Sequence, residues 1–250
     1  MKYIAGCSGG KDSVATLILA KEHGEPLDEV VYCEVMFSKD ISGEVPEHRD
    51  FIYNTLKPWV EDVLCVPFVV VRSDKTYLDT FNHIITKGER TGKVQGFAIP
   101  GMCVVNRDCK IPPINRYWRQ YGKEVTQYVG IAVDEPKRLE RMRGTNRVSL
   151  LEKYNITEKQ ALDICRKNGL LSPVYGFAKR NGCWFCPNAR DDEWSHMIYK
   201  HEAVFDILIE LEQRAEGIAK RVTRTETPTQ LKRRILSYGE QVSLFGQQGN

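Results

Sequence analysis

Residues 8–13 have the sequence Ser-Gly-Gly-Lys-Asp-Ser, which combines residue types that bind phosphate or sulfate. Two adjacent glycines let the backbone turn sharply and approach a ligand, because neither carries a Cβ. The serine hydroxyls donate hydrogen bonds and the lysine adds a positive charge. The residues before this segment indicate a short strand, and Val14, Leu17 and Ile18 after it have helical spacing. A glycine turn that leads into a helix N-terminus favours an anion, so the segment, called the glycine loop below, predicts a phosphate- or sulfate-binding site.

Two better-known glycine motifs do not fit this spacing. A Walker A loop needs four residues between its first glycine and Gly-Lys-Ser/Thr, and the dinucleotide-binding turn needs Gly-x-Gly-x-x-Gly. The other interpretation of the segment is a strand-to-helix turn that holds no ligand. Because the strand, the turn and the helix follow one another directly, the anion-binding interpretation is favoured.

Four of the eight cysteines are spaced as two pairs, which is typical of a metal site. Cys183 and Cys186 form a Cys-x-x-Cys turn, and Cys103 and Cys109 form a second, wider pair. Four thiolates suit either a tetrahedral Zn²⁺ or a [4Fe–4S] cluster, and the ligand type does not choose between them. A redox-active dithiol and four unrelated buried cysteines are the other interpretations.

The remaining cysteines are expected to pack as small apolar residues. Cys33, Cys65 and Cys165 lie in apolar patterns, and Cys7 precedes the glycine loop. The N-terminus lacks the basic-then-apolar pattern of a signal peptide, so we expect a cytoplasmic protein. In that compartment cysteines indicate metal or redox chemistry rather than disulfides.

The composition is that of an ordinary soluble protein, with 42% hydrophobic and 28% charged residues. The longest apolar run, residues 63–71, contains a proline and is too short to cross a bilayer, so no membrane association is expected. A net charge of +3 does not require a nucleic-acid partner. Basic residues are concentrated between Arg214 and Arg234, however, and this segment is interpreted either as a contact for a phosphate backbone or as a solvated helix face.

Apolar strands alternate with helices through the first 150 residues. Strands are predicted at 3–5, 29–37, 64–72 and 125–133, and helices at 14–23, 45–63, 77–86, 115–121 and 135–142. Pro58 is expected to kink the second helix. The alternation predicts an α/β fold with a doubly wound, mainly parallel sheet, whose ligands bind at the carboxyl ends of the strands.

The rest of the chain is predicted to be helical, with helices at 157–168, 191–216 and 227–237. We predict three consecutive domains. Residues 1–150 form a nucleotide-binding α/β domain, residues 151–190 add a helix and the Cys-x-x-Cys turn that completes the metal site, and residues 191–250 are a helical extension. The glycine-rich connection at 88–101 is predicted to be a flexible lid.

The glycine loop resembles the Ser-Gly-Gly-x-Asp-Ser signature of the PP-loop ATP pyrophosphatases and of the phosphoadenylyl-sulfate (PAPS) reductase family. Three further segments resemble this family: residues 34–47, which end in Pro-Glu, residues 130–141, with a glycine, an acidic pair and arginines, and residues 170–187. The last of these is similar to relatives of the sulfur-transfer enzyme of DNA phosphorothioation. The resemblance covers residues 1–190 and implies an adenine nucleotide alpha-hydrolase-like fold with a four-cysteine metal site.

The resemblance also implies a site for ATP with Mg²⁺. The glycine loop would hold the β- and γ-phosphates, and the two arginines after the acidic pair would bind phosphate or sulfate oxygens unless they form surface ion pairs. The predicted catalytic residues are Lys11, Asp12, Arg138 and Arg141. The predicted cofactor-binding residues are Ser8, Gly9, Gly10, Lys11, Asp12, Ser13, Glu34, Gly130 and Asp134. Asp12 would contact Mg²⁺, and Asp134 would position metal or ribose or would cap the following helix.

The function implied is cleavage of ATP to AMP and pyrophosphate, which adenylates an acceptor for sulfur transfer from a donor protein. Reduction of an adenylyl sulfate is the second interpretation. PAPS reductases, however, carry a catalytic cysteine in a C-terminal Glu-Cys-Gly-x-His motif, and no cysteine follows Cys186. The third is a non-catalytic subunit that binds nucleotide or nucleic acid through the basic segment. The sequence leaves the oligomeric state open.

Overall fold

A computed structural model describes residues 1–98, 100–101, 103–122, 124–214 and 219–246, the last eight by backbone only. The described strands are β1 Lys2–Gly6, β2 Glu29–Cys33, β3 Phe68–Val71, β4 Val125–Tyr128 and β5 Arg147–Val148. The described α-helices are α1 Lys11–Glu22, α2 Pro46–Phe51, α3 Lys57–Val63, α4 Tyr77–Phe81, α5 Ile111–Arg119, α6 Pro136–Glu140, α7 Leu150–Lys153, α8 Glu158–Lys167, α9 Asp191–Lys200, α10 Glu202–Arg214 and α11 Pro228–Gly246. Ile52–Leu56 and Asn106–Lys110 are π-helical, and Pro173–Gly176 is a 3₁₀ turn.

The chain divides into two units whose segments alternate along the sequence. Unit 1 comprises residues 1–35, 44–73 and 110–181, and unit 2 comprises residues 36–43, 74–109 and 182–250. Unit 1 contains the whole sheet, and unit 2 contains α4 and the helices from α9 onward. The three predicted domains are consecutive, so their boundaries at 150 and 190 do not coincide with the ends of these units.

The five strands of unit 1 form one parallel sheet in the order β3-β2-β1-β4-β5. This confirms the predicted doubly wound parallel sheet. Successive side chains on a strand point to opposite faces. Ile4 therefore packs with Val31 and Val125 on one face, while Ala5 packs with Val30 in the larger core on the other face.

Helices cover both faces of this sheet. On the larger side α1 packs against α8 and α7, and residues 13–20 of α1 are all buried. On the other side Tyr117 and Trp118 of α5 pack against the smaller apolar cluster. A helix buried along its length needs apolar residues on every side, which explains why the middle of α1 has no charged residue.

The helix predicted over residues 45–63 contains a π-helical turn before Pro58, and the kink at this proline stays a prediction. A proline has no N–H, so the carbonyl of Asn54 lacks its α-helical donor, and the chain widens at Ile52–Leu56 before α3 continues. The single helix predicted at 191–216 is wrong. His201 has φ of −133° and ψ of 45°, which lie outside the helical region and separate α9 from α10.

The predicted lid at 88–101 has several backbone hydrogen bonds within unit 2. Gly96 N donates to Phe81 O at 2.9 Å, and Phe97 N donates to Ala219 O at 2.8 Å. Phe97 is buried, and Ile99 lies outside the described residues. No helix in the described part of the chain is long and apolar enough to span a bilayer.

We expect Gly130→Ala to lower the free energy of unfolding by about 1–3 kcal/mol, because the new methyl group would overpack a backbone contact. A Cβ at position 130 would lie 2.6 Å from Asp12 C and 2.6 Å from Ser13 N, and backbone at the start of a buried helix cannot move aside. Urea unfolding measures the change. Gly176→Ala is the matched control, since a Cβ there meets nothing within 4 Å. Equal stability of the two variants would contradict this packing.

Candidate functional site

The glycine loop leaves β1 at the point where the sheet reverses its winding. β1 continues through α1 to β2 on one side, while β4 lies on the other side and continues through α6 to β5. The connections after β1 and β4 therefore diverge and leave a crevice at their carboxyl ends. Open parallel sheets bind their ligands at such a crevice.

The glycine loop keeps its shape through bonds among its own residues. Ser13 Oγ donates to Gly10 O at 2.9 Å and accepts from Ser8 N at 3.2 Å. Gly9 has a positive φ of 70°, and a Cβ there would lie 2.2 Å from Ile52 Cδ1, so only glycine fits. The Ser13 hydroxyl is therefore part of the support of the loop.

Residues 172–181, called the strap below, hold two backbone groups of the glycine loop. Tyr175 OH accepts a hydrogen bond from Lys11 N at 2.8 Å. Asn181 Nδ2 donates to Ser8 O at 3.0 Å. The strap therefore bonds to the loop near its start and again at the first amide of α1.

His48 of α2 supports the same Ser8 carbonyl. His48 Nε2 lies 2.9 Å from Ser8 O, and its Nδ1 lies 2.8 Å from Ser172 Oγ. A carbonyl only accepts, so Nε2 carries the proton and Nδ1 accepts from the serine hydroxyl. His48 is fully buried, and this burial lowers its pKa to about 4, so the imidazole is neutral at pH 7.

A cavity of about 550 Å³ lies at the first turn of α1, within the usual size range of small-molecule sites. Its wall is formed by the glycine loop, the connection after β4, the start of α8 and the strap. The lining residues are Ser8, Gly10, Lys11, Asp12, Ser13, Gly130, Glu135, Arg138, Glu158, Tyr175, Lys179, Arg180 and Asn181. The structure thus brings seven of the predicted site residues together.

Two of the four cations in the cavity lining, Lys11 and Arg138, face carboxylates. Lys11 Nζ lies 2.8 Å from Asp12 Oδ2 and 3.6 Å from Glu158 Oε2, and Arg138 Nη1 lies 2.5 Å from Glu135 Oε1. Burial raises the pKa of Asp12, and the Lys11 ammonium acts in the opposite direction. An anion that enters the cavity would therefore compete with these carboxylates for the two cations.

Glu34, predicted to bind cofactor, does not line the cavity. Its buried carboxylate accepts hydrogen bonds from Arg49 Nε at 3.2 Å, Tyr53 OH at 2.8 Å and Arg72 Nε at 2.9 Å. A fully buried carboxylate requires such partners. Glu34 therefore holds the side chains of Arg49, Tyr53 and Arg72 at the carboxyl end of β2. Its contact with a cofactor stays a prediction.

Three other predicted residues also lie outside the cavity lining: Gly9, Asp134 and Arg141. Asp134 Oδ1 accepts from Glu158 N at 3.0 Å, the first amide of α8. It therefore caps α8 rather than the helix that follows it in sequence. Arg141 is exposed. Ligand roles for these residues stay predictions.

Sequence reasoning missed the strap and the start of α8 as parts of the cavity. Four lining residues lie far from the glycine loop in sequence, and only the chain topology brings them to it: Tyr175, Lys179, Arg180 and Asn181. Two signals were present: residues 170–187 resemble the PAPS reductase family, and a Lys-Arg-Asn run ends one residue before the Cys-x-x-Cys turn. Glu158 gave no signal beyond its place at a helix start.

Aromatic packing in unit 2 surrounds the Cys-x-x-Cys turn. The Phe185 ring lies 4.1 Å from the Tyr77 ring and 5.3 Å from the Phe37 ring, between centroids. The Trp184 ring lies 4.6 Å from that of Phe37. Both residues inside the turn are therefore buried among aromatic rings, while the two cysteines of the turn are half-buried.

A side chain joins the two cysteine segments of unit 2. Gly101 N donates to Asn188 Oδ1 at 2.9 Å. Gly101 is two residues before Cys103, and Asn188 is two residues after Cys186. The chain near the exposed Cys103 is therefore held beside the end of the Cys-x-x-Cys turn.

The fourth cysteine of the predicted set, Cys109, is buried beside α4. Its Sγ lies 3.8 Å from Thr80 Oγ1, on the helix whose first residue packs against Phe185. Among the described residues, no three of the four sulfurs lie within 4.8 Å of one another. Ligands of a single zinc would lie about 4 Å apart, whereas a [4Fe–4S] cluster binds each thiolate to a different iron and spaces them more widely. The four sulfurs therefore do not form a closed zinc site among the described residues, and the group that these cysteines would hold stays a prediction.

The other cysteines follow the expected packing with one exception. Cys7, Cys33 and Cys165 are buried. Cys165 Sγ donates to Lys11 O at 3.1 Å, and burial raises the pKa of this thiol to about 12. Cys65 was predicted to be in the core, but it is exposed, at a positive φ of 55° after α3.

Part of the basic charge between residues 214 and 234 is paired within unit 2. Lys232 Nζ lies 2.6 Å from Asp206 Oδ1. Arg234 Nη1 lies 2.9 Å from Asp191 Oδ2, and its Nε lies 2.7 Å from Glu226 Oε1. These pairs reduce the charge available to a phosphate backbone. A nucleic-acid partner stays a prediction.

Comparison with known proteins places the chain only loosely. No family model and no curated protein matches it. One similar solved structure is the U34-tRNA thiolase NcsA from Methanococcus maripaludis with its [4Fe–4S] cluster, at 16% identity and a TM-score of 0.45, over 96% of this chain and 73% of that one.

We expect His48 to make stability fall as the pH falls from 6.5 to 4. The pKa of His48 is about 4 in the folded chain and 6.5 when unperturbed, so only the unfolded chain gains a proton in this range. The stabilisation by His48 is complete above the unfolded pKa of 6.5 and is lost as the pH falls through the folded pKa of about 4. The loss is on the order of 3 kcal/mol. His48→Gln keeps a donor for the Ser8 carbonyl but does not titrate, so urea unfolding should show a flatter pH dependence.

Glu44 opposes this trend, so the pH dependence of the stability of the wild type alone does not isolate the contribution of His48. Burial raises the pKa of Glu44 from 4.5 to about 7, so its contribution is present below the unfolded pKa and is lost as the pH rises through the folded one. The difference between wild type and His48→Gln removes this contribution. Identical pH slopes in the two proteins would show that His48 does not titrate as its burial requires.

Proposed function

We propose that this chain is a PP-loop ATP pyrophosphatase that adenylates an acceptor for sulfur transfer. ATP with Mg²⁺ would bind at the glycine loop and would be cleaved between its α- and β-phosphates. The observation that supports this proposal most is the cavity at the first turn of α1. It combines the glycine loop, four cations and a sheet crevice in one place.

The ion pairs of the cavity suggest how the triphosphate would be held. Lys11 would exchange its contact with Asp12 for phosphate oxygens, and the released carboxylate would be free to hold Mg²⁺, a cation that prefers oxygen ligands. Arg138 and the strap residue Lys179 would neutralise charge on the departing pyrophosphate. The N-terminal end of α1, a helix of 12 residues, adds its dipole.

The reaction that we propose has two displacement steps. In the first, an acceptor oxygen forms a bond to the α-phosphorus, the bond to the β-bridging oxygen breaks, and pyrophosphate leaves with its electron pair. In the second, a sulfur nucleophile forms a bond to the acceptor carbon, and AMP leaves with the electrons of the C–O bond. The protein positions the reactants and balances the charge of the leaving pyrophosphate.

Four residues of unit 2 would hold the iron–sulfur cluster of this proposal: Cys103, Cys109, Cys183 and Cys186. When bound, a cluster would supply a carrier for the sulfur atom. The aromatic rings of Phe185 and Trp184 would keep water from it. A zinc ion at the same thiolates would instead be structural.

The proposed cleavage predicts AMP and pyrophosphate from ATP labelled at its α-phosphate, incubated with candidate acceptors and Mg²⁺. Lys11→Ala should weaken ATP binding about 10- to 100-fold, because it removes a charged donor from the phosphates. The control is Lys167→Ala, an exposed lysine at the end of α8 that does not line the cavity. Isothermal titration measures the affinities.

Three outcomes would contradict this function. Release of ADP, or no AMP with any acceptor, would exclude α–β cleavage. Sulfite released from an adenylyl sulfate with a thiol donor would support the reductase interpretation instead. Salt-dependent binding of DNA or RNA that Lys11→Ala leaves unchanged, without turnover, would support the non-catalytic subunit.

The cysteine assignment predicts a brown protein after anaerobic purification, with iron and acid-labile sulfide. Cys183→Ser should lose most of the iron, because a hydroxyl is a poor substitute for a thiolate ligand. Cys65→Ser is the matched control, since this exposed cysteine is outside the predicted set. A colourless wild-type protein with one zinc per chain, or equal iron in both variants, would contradict the cluster.

A further inference from the structure

The Tyr175 hydroxyl lies between the first amide of α1 and the cavity. It accepts the hydrogen bond of Lys11 N at 2.8 Å, and Tyr175 is one of the residues that line the cavity. The first amides of a helix have no partner within the helix and are the donors that usually bind an anion. At Lys11 a side chain from the strap has taken that position.

The chemistry of the phenol leaves one donor for another molecule. A tyrosine hydroxyl carries one hydrogen and can also accept. The bond from Lys11 N uses its accepting capacity, and among the described residues the hydroxyl donates to none. Burial raises the pKa of Tyr175 to about 12, so the group keeps its hydrogen at neutral pH.

Two functions are open to a hydroxyl in this position. It either blocks the Lys11 amide, so that an anion would have to displace the hydroxyl, or it presents its own O–H to the anion in place of the amide N–H. A hydroxyl that accepts from a helix amide becomes a stronger donor, because hydrogen bonds in a chain polarise one another. The cavity beside it also contains Lys11, Arg138 and Lys179, so an anion would lie within its reach.

We propose that Tyr175 is a phosphate-binding residue of this cavity. Its hydroxyl accepts from Lys11 N and donates its own hydrogen to a terminal oxygen of the bound phosphate. The proposal rests on the proposed function, since it concerns the same site. The hydroxyl thus donates to the phosphate in place of the Lys11 amide, and it sets the distance between the phosphate and the start of α1.

Pyrophosphate binding by the full-length chain tests this role. Tyr175→Phe removes the donor and keeps the ring, and we expect the pyrophosphate Kd to rise about 10- to 100-fold, as for the loss of a hydrogen bond to a charged group. The matched control is Tyr154→Phe. Tyr154 donates to Glu25 and does not line the cavity, so its variant should bind as the wild type does. Calorimetry measures Kd, and melting temperatures show whether the variants are folded.

A second substitution separates a binding role from a structural one. 3-Fluorotyrosine at position 175 has nearly the size of tyrosine but a more acidic phenol, which is a stronger donor. If the hydroxyl binds phosphate, this protein should bind pyrophosphate more tightly than wild type at neutral pH. A hydroxyl that only holds the strap to the loop would not produce this gain.

The outcomes distinguish this proposal from the function on which it rests. If wild type binds pyrophosphate and Tyr175→Phe binds it equally well, the role of Tyr175 is excluded and the cavity remains an anion site. Tighter binding by Tyr175→Phe would show that the hydroxyl competes with the ligand, which also overturns the proposal. If wild type and Lys11→Ala both fail to bind pyrophosphate, the proposed function fails with it.

Discussion

The start of α1 enters the crevice of the sheet because position 130 has no side chain. The space that a Cβ would need at Gly130 is occupied by the backbone of Asp12 and Ser13. Two backbones in contact leave little freedom, so the connection after β4 and the first turn of α1 have a fixed relation. The residues that follow Gly130 therefore reach the same cavity as the glycine loop. Arg138 and Glu135 line it for this reason.

The charge of Lys11 in the cavity is paired within unit 1. Lys11 has only 13% of its side chain exposed, and a buried ammonium without partners would be strongly unfavourable. Asp12 and Glu158 supply those partners. The affinity for an anion is then a difference between two sets of contacts, those made with the carboxylates and those made with the ligand. In the proposed function, Lys11 would exchange these carboxylates for phosphate oxygens.

Sequence patterns predicted the sheet and the glycine loop because both depend on local signals. Continuous apolar strands indicated a parallel sheet, and the helix predicted at 157–168 is present as α8, which begins with a capping box of Thr157 and Gln160. The break at His201 had no such signal, since no proline or glycine marks it. The strap was missed for a different reason. Its bonds to the loop, such as that from Asn181 to Ser8, join residues far apart in sequence, and no periodic pattern records them.

The order of the strands has a consequence for how the chain is made. β1 is synthesised before the other described strands, yet it lies at the centre of the sheet, and its neighbour β4 begins only at Val125. Asn181, which bonds to Ser8 of the glycine loop, comes later still. A nascent chain therefore carries an unpaired edge of its central strand through much of translation, and such edges invite pairing with other chains. The crevice with its strap is complete only after Asn181 has been synthesised.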